Sequence, residues 1–336
     1  VTGANDYVLT AQTDGSTAWA AAGGGGASVI GDLTDVTMDA TNFVDSLLIQ
    51  TNSDGSAPST GTLSSASNNI GIGKDTFSAL ADGVSNVAIG NLAGTGMTSA
   101  TGNTVLGHEA FKVASGSHWN VMIGYQAGKA VTTASSNMFI GVGAGRTVTD
   151  AEYNLFVGRY AGRDNTSGKY NTVLGMDAFM GNTTGYRNIA IGKNALNDPD
   201  TESDNIAIGY DAMTGAVAGG EKNVAIGNYT LDALTSGDYN VMLGYNAGTA
   251  LTTGYKNVAI GAESLITAIG GTTNTTVGYY SLHDVTSGSG NDAIGYYAGD
   301  DITTGGYNVT LGTFAGGGIT EGHNNIALGQ GTLAAS

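Results

Sequence analysis

An asparagine returns along this chain at residues 69, 86, 103, 120, 137, 154, 171, 188, 205, 223, 240, 257, 274, 291, 308 and 325, and glycine follows each one four residues later. Fourteen of the fifteen intervals are 17 residues; the one from Asn205 to Asn223 is 18. So fixed a period restricts the fold more than any local motif, because it marks a solenoid in which each coil touches only its neighbours. Residues 69–336 are therefore expected to form a solenoid domain of about 16 coils, and residues 1–68, which lack the period, a leader. The chain carries 56 Gly but only 2 Pro in 336 residues, and 41% of it is hydrophobic. Collagen needs more proline and a disordered linker less hydrophobicity, so neither explains the glycine.

With asparagine as position one, position four is Ile, Leu or Val in every copy (Ile89, Ile191, Val277, Leu328) and position two is usually apolar (Val87, Ile189, Val258). Position three carries Ala88, Met122, Phe156 or Met242. In a strand, positions two and four share one face and position three takes the other, so both faces are apolar. Such a strand is buried on two sides. One face fills the coil and the other needs cover; the position-three face is the one expected between chains. The glycine at position five (Gly90, Gly107, Gly124, Gly209, Gly227) ends the strand at a corner that needs positive φ or close backbone approach. Position eight is small throughout (Ala93, Ala127, Ala212, Ser264, Thr332), which suits a tight corner. Frequent Thr at position thirteen and Gly at position fifteen predict a second short strand and its exit turn. The expected fold is all-β, a parallel β-roll or β-helix with two short strands per coil, assembled as a parallel homotrimer.

The asparagine column (Asn86, Asn103, Asn120, Asn137, Asn154, Asn171, Asn188, Asn205, Asn223, Asn240 and Asn257 among its members) is expected to form an amide ladder, since identical side chains stacked at about 4.8 Å hydrogen-bond to one another. Most lack the Ser or Thr two residues on that glycosylation requires. In the leader, YVLTAQ (7–12) and STAWAAA (16–22) flank TDG as two short strands with a turn, Gly23–Gly26 reads as a hinge, and DSLLIQ (45–50) has strand composition. The leader reads as a connector that either attaches the chain to a larger assembly or forms a loosely ordered cap. The coil opened by Asn325 would leave a sheet edge that is expected to be covered by further chain, another protein or the next molecule.

The strings NVAIGNLAG, NTVLGHEAF, NIAIGKNAL and NVMLGYNAG resemble the NxAIGxxAL repeats of tail-fibre-type proteins of marine bacteriophages, and are similar in pattern to the heads of trimeric autotransporter adhesins. NDYVLTAQTDGSTAWA and IGDLTDVT resemble connector modules that precede such repeats in phage structural proteins. The resemblance covers residues 69–336. It implies a trimeric parallel solenoid displayed on a virion: the shaft or receptor-binding part of a tail fibre, joined to other virion or fibre proteins through its N-terminal segment and meeting a host glycan or receptor. The alternative it implies is a bacterial cell-surface adhesin or extracellular filament subunit.

Chemistry is sparse. A net charge of −17 disfavours nucleic acid and anionic lipid as partners. No cysteine is present, which removes disulfides and thiolate sites, and no apolar run approaches the roughly 18 residues needed to cross a membrane. The four histidines form no column, so no metal, cofactor or catalytic triad is expected and the chain reads as non-enzymatic; a glycan-cleaving spike would need paired carboxylates in a groove. Two features stand out. Tyr280, Tyr297 and Phe314 share position seven and Tyr279 and Tyr296 position six of successive coils, which predicts an aromatic column that either contacts host sugars or buttresses the stack. NDPDTESDN (197–205) places Asp198, Asp200, Glu202 and Asp204 before the 18-residue coil, and reads as a solvated acidic bulge, with calcium as the competing reading.

Overall fold

The computed structural model describes residues 7–11, 17–21, 36–40, 43–50, 60, 62–215 and 219–334, the first three segments by backbone alone. The Gly23–Gly26 hinge and most of the polar loop before the first coil lie outside these residues. The chain divides into two units, Val1–Ser136 and Asn137–Ser336. Among the described residues there is no helix, and the repeat region of each unit is a parallel β-solenoid with one three-residue strand per coil.

In the first unit, β1 (Tyr7–Ala11) and β2 (Thr17–Ala21) pair antiparallel. β3 (Val36–Ala40) pairs antiparallel with β4 (Phe43–Ile49), which then pairs in parallel with the first repeat strand, Leu47 opposite Ile70. DSLLIQ thus joins the sheet and templates the first coil. In the second unit twelve strands, from Met138–Ile140 to Ile326–Leu328, each pair in parallel with the next at constant register. Register survives the 18-residue coil, where Ile206 still faces Val224.

Two expectations need correction. Position three points into the coil, not toward another chain: Ala88, Met122, Phe139, Phe156, Ala190 and Met242 are all fully buried. Positions two and four point outward instead, with Leu106, Leu243, Ile294 and Leu311 exposed. The two faces are equally apolar in the sequence, and the enclosed position three ranges from alanine to Phe139, Phe156 and Met242, so alternation alone does not say which face turns inward. The second strand is also missing from the described residues. Position thirteen instead runs as a bend whose amide donates to the next coil (Thr166 to Thr183 at 2.8 Å, Thr235 to Thr252 at 2.9 Å), and in the first unit Val84, Thr101 and His118 make isolated parallel bridges.

The interior is closed by positions three, nine and twelve, whose volumes compensate. Phe139 faces Gly145, Phe156 faces Gly162 and Met242 faces Gly248; a Cβ on Gly145 would meet the Phe139 ring at 2.5 Å. Where position three is alanine, position nine fills the space, as with Ala190 and Leu196 or Ala225 and Leu231, or position twelve does, as Met97 beside Ala88 and Gly94. Close packing requires such pairing, because a coil buries few side chains and tolerates neither void nor overlap.

Tight corners fix the rest of the coil. Positions seven and nine, and the residue before each asparagine, all take left-handed φ, for example Tyr160 (53°), Leu196 (47°) and Tyr170 (61°). For a residue other than glycine this costs about 1 kcal/mol, so the stack must over-determine it. Position five is different: Gly90 has φ 135°, and a Cβ there would lie 2.7 Å from the carbonyl oxygen of Gly107. Only glycine admits the neighbouring coil so closely.

The asparagine side chains lock each coil twice. Asn240 Nδ2 donates to Asn223 Oδ1 (3.1 Å) and to the Gly254 carbonyl that closes its own coil (2.9 Å). Its Oδ1 accepts from the backbone N–H (3.0 Å) and Nδ2 (3.1 Å) of Asn257. The side-chain amide thereby supplies the acceptor that the left-handed residue before each asparagine takes out of the ladder. The backbone N–H to Oδ1 bond repeats from Asn69 to Asn120 in the first unit and from Asn137 to Asn325 in the second, while at Asn171 and Asn205 Nδ2 bonds the closing carbonyl alone.

Candidate functional site

Position seven stands between an outward residue and the buried small residue at position eight, and its left-handed φ turns its side chain onto the coil's outer edge. In the late coils of the second unit this brings together all five aromatics singled out above. Tyr280 and Tyr297 stack with centroids 4.8 Å apart and planes at 13°; Tyr279 and Tyr296 stack at 5.6 Å and 17°. Phe314 closes the column against Tyr297 (5.5 Å) and edge-on to Tyr296 (5.5 Å, 88°). His283 lies flat on Tyr280 at 4.5 Å, with Nδ1 2.6 Å from Asp284. Tyr279, Tyr296 and Phe314 remain exposed.

Two physical properties limit what this edge can recognise. Its tyrosine rings face one another along the stack, so they present edges and hydroxyls outward rather than open faces for a sugar to lie on. Its surroundings are acidic as well: residues 257–336 hold six acids and no Lys or Arg. The Tyr280 hydroxyl is held well above the ordinary phenol range by its hydrogen bond to the Glu263 carboxylate, then by Tyr279 and by burial. Burial first, and the Asp301 charge after it, raise Asp300.

A second aromatic series, absent from the reading of the sequence, is more exposed. The residue just before the asparagine is Trp119, Tyr153, Tyr170, Tyr239 or Tyr307 in five coils, and Tyr307 is 69% exposed. Its signal in the sequence is the repeated Tyr-Asn dipeptide at 153–154, 170–171, 239–240 and 307–308. Tyr153 and Tyr170 stack at 5.2 Å with planes 3° apart.

The acidic loop is the expected solvated bulge only in part: Asp198 and Asp200 are exposed, but Glu202 is not. Glu202 stands at position fifteen, where other coils place a small residue, and is buried; its carboxylate accepts from the backbone N–H groups of Asp200 (2.8 Å), Thr201 (2.9 Å) and Gly219 (2.7 Å). It thus fastens the corner to the longer coil that follows. Asp204 accepts both arms of Arg187 (2.6 and 2.7 Å), Asp200 accepts from Thr183, and only Asp198 keeps the expected exposure without a described partner. Four acids close in sequence therefore have diverging tasks. Among the described residues no group of three or more His, Asp or Glu is placed to hold a metal ion. No helix there is long and apolar enough to cross a membrane. Asp292, the acid in a strand, lies at position two on the outer face and is exposed.

Comparison with protein families, curated proteins and solved structures finds no match to this chain.

Proposed function

We propose that this chain is a non-enzymatic structural fibre protein, the shaft or receptor-binding part of a bacteriophage tail fibre, built from parallel copies of itself and displayed outside the particle to meet a host surface. The observation that carries the reading is the outer face of the second unit's sheet. Positions two and four of twelve consecutive strands present an almost wholly aliphatic strip, on which Asp292 is the one charged residue. These side chains, partly to half exposed, amount to on the order of 1,000 Å² of apolar surface, beyond the few hundred that an unpartnered protein usually exposes. Identical flat strips at constant register suit self-association about an axis along the stack, and three copies are the number that the family resemblance implies. No charged columns break the strip, so copies can pair along its whole length.

Replacing Leu243 and Ile260 by Asp tests this. Both point outward, so the coil interior is untouched; the expected result is loss of association with strand amide protection kept. Association unchanged by the pair of carboxylates would refute the interface. Host attachment is separately tested with Tyr280→Ala and Tyr297→Ala: unchanged adsorption with an intact fold removes the Tyr279–Phe314 edge from the contact.

A further inference from the structure

On the opposite corner of the coil lies a cleft of about 210 Å³ between the coils that begin at Asn154 and Asn171, lined by Ser167, Lys169, Tyr170, Thr184, Tyr186 and Arg187. We propose that it binds a carboxylated pyranose, one uronic-acid-type ring of an anionic polysaccharide.

The cleft exists because an aromatic column stops. Tyr153 covers one face of Tyr170, but the next residue in that column is Arg187. Its guanidinium lies 4.2 Å over the Tyr186 ring and is fastened to Asp204, at the corresponding place in the next coil, through Nε and one Nη. Arginine is thus drawn away from Tyr170, which is 57% exposed and leaves its second face to the cleft. An open tyrosine face is the platform that the apolar face of a sugar ring stacks on. This is what the Tyr279–Phe314 edge lacks.

Polar side chains line the cleft beside that platform. Lys169 has Glu152 at 3.1 Å and further N–H groups to give, and Arg187 keeps its second Nη free of the Asp204 fork. Lys169 and Arg187 are both held above their ordinary values by these carboxylate hydrogen bonds, so they stay charged. The hydroxyls of Ser167 and Thr184 on the walls suit ring hydroxyls. Charge for an acid comes from the two bases that line the cleft, Lys169 and Arg187, each of which already pairs with one carboxylate, Glu152 and Asp204. Guanidinium and ammonium groups bind carboxylate more strongly than neutral oxygen. The volume falls below the 300–1,000 Å³ of drug-sized sites, so one ring enters and the rest of the polymer runs outside. Single-site binding is then weak, and copies in an assembly raise it by avidity.

The inference does not depend on the Tyr279–Phe314 edge, and its test separates the two. Full chain is titrated with a trimer of galacturonic acid and with neutral galactotriose, read by saturation transfer in solution and by calorimetry. The acidic trimer is expected to bind saturably and at least ten-fold tighter than the neutral one. Tyr170→Asn, which keeps a residue suited to left-handed φ, is expected to weaken it at least ten-fold, and Lys169→Met with Arg187→Met to erase the preference for acid. Tyr280→Ala should change nothing here. Amide protection of Thr172–Leu174 reports whether each variant retains its coil. Absence of saturable binding, equal binding of both trimers, or full affinity in a folded Tyr170→Asn variant would each overturn the proposal.

Discussion

The asparagine ladder makes its sharpest demand at Asn240, which is fully buried inside a run of like neighbours. Asn240→Asp changes one NH2 for one oxygen and nothing in shape. The Oδ1 side of the site keeps its donors from Asn257, but the Nδ2 side now sets oxygen against Asn223 Oδ1 and the Gly254 carbonyl. Two hydrogen bonds are lost, each worth about 1 kcal/mol net. Leaving a buried charge against two acceptors adds about 3 kcal/mol or more, so a total of about 5 kcal/mol or more is expected at neutral pH. The sign with pH follows. The folded state raises the pKa of the substituted carboxyl above its ordinary value of about 3.9, so stability is greatest below that value and is lost as pH rises from it toward the raised pKa. A protonated carboxyl regains one donor, which restores part of the loss. Because a solenoid unfolds locally, the assay is amide exchange at Val241–Leu243 and Val258–Ile260, compared at pH 3.5 and 7. Asn246→Asp, on the outer edge of the same coil, is the control and should stay within about 0.5 kcal/mol. Equal protection for Asn240→Asp and Asn246→Asp at both pH values would refute the role given to the ladder.

Three further outcomes follow from single contacts. Gly145→Ala should cost about 1 to 3 kcal/mol through overlap with Phe139, and Phe139→Ala in the same chain should recover part of it, since leucine and phenylalanine take the same backbone angle at this position in other coils; a double-mutant cycle measures the coupling. Glu202→Ala leaves the N–H groups of Asp200, Thr201 and Gly219 without an acceptor, so protease nicking near residue 219 should increase while distant coils are unaffected. Glu109 is held down to about 2 from 4.5, chiefly by its hydrogen bond to Lys112, then by Lys129 and Gln126. A depressed carboxylate contributes stability above its unfolded value, so protection around Glu109 should fall as pH drops from about 4.5 toward 2 and should become insensitive to that drop in Glu109→Gln.

The period, the strand and its corner were legible because they repeat: an asparagine at a near-constant 17-residue interval forces like coils into register, and the glycine at position five has a steric cause visible in Gly90 and Gly107. Which apolar face turns inward was not legible from alternation, which is symmetric, nor from size, since position three holds Ala190 in one coil and Phe156 in another. The pairing of Phe139 with Gly145 was present in the sequence as an inverse variation of positions three and nine, and is invisible when each column is read alone. Position thirteen failed as a strand because β-branched threonine serves equally in a bend whose hydroxyl reaches the next coil, as Thr235 does to the Thr252 carbonyl at 3.0 Å. Glu202 was misread because charge suggests solvent, whereas three convergent backbone N–H groups solvate a carboxylate just as well. The Tyr279–Phe314 cluster was found by column arithmetic, but the facing of its rings, which decides what it can bind, depends on rotamers.

The claim on which the rest stands is that the aliphatic outer face is shared between copies, and the mass of the full chain in solution tests it most directly. Light scattering coupled to size exclusion at micromolar concentration should return three times the mass of one chain, persisting at high salt because the contact is apolar, and falling to that of one chain in Leu243→Asp with Ile260→Asp. A folded, monodisperse single chain for the unsubstituted protein would contradict the account.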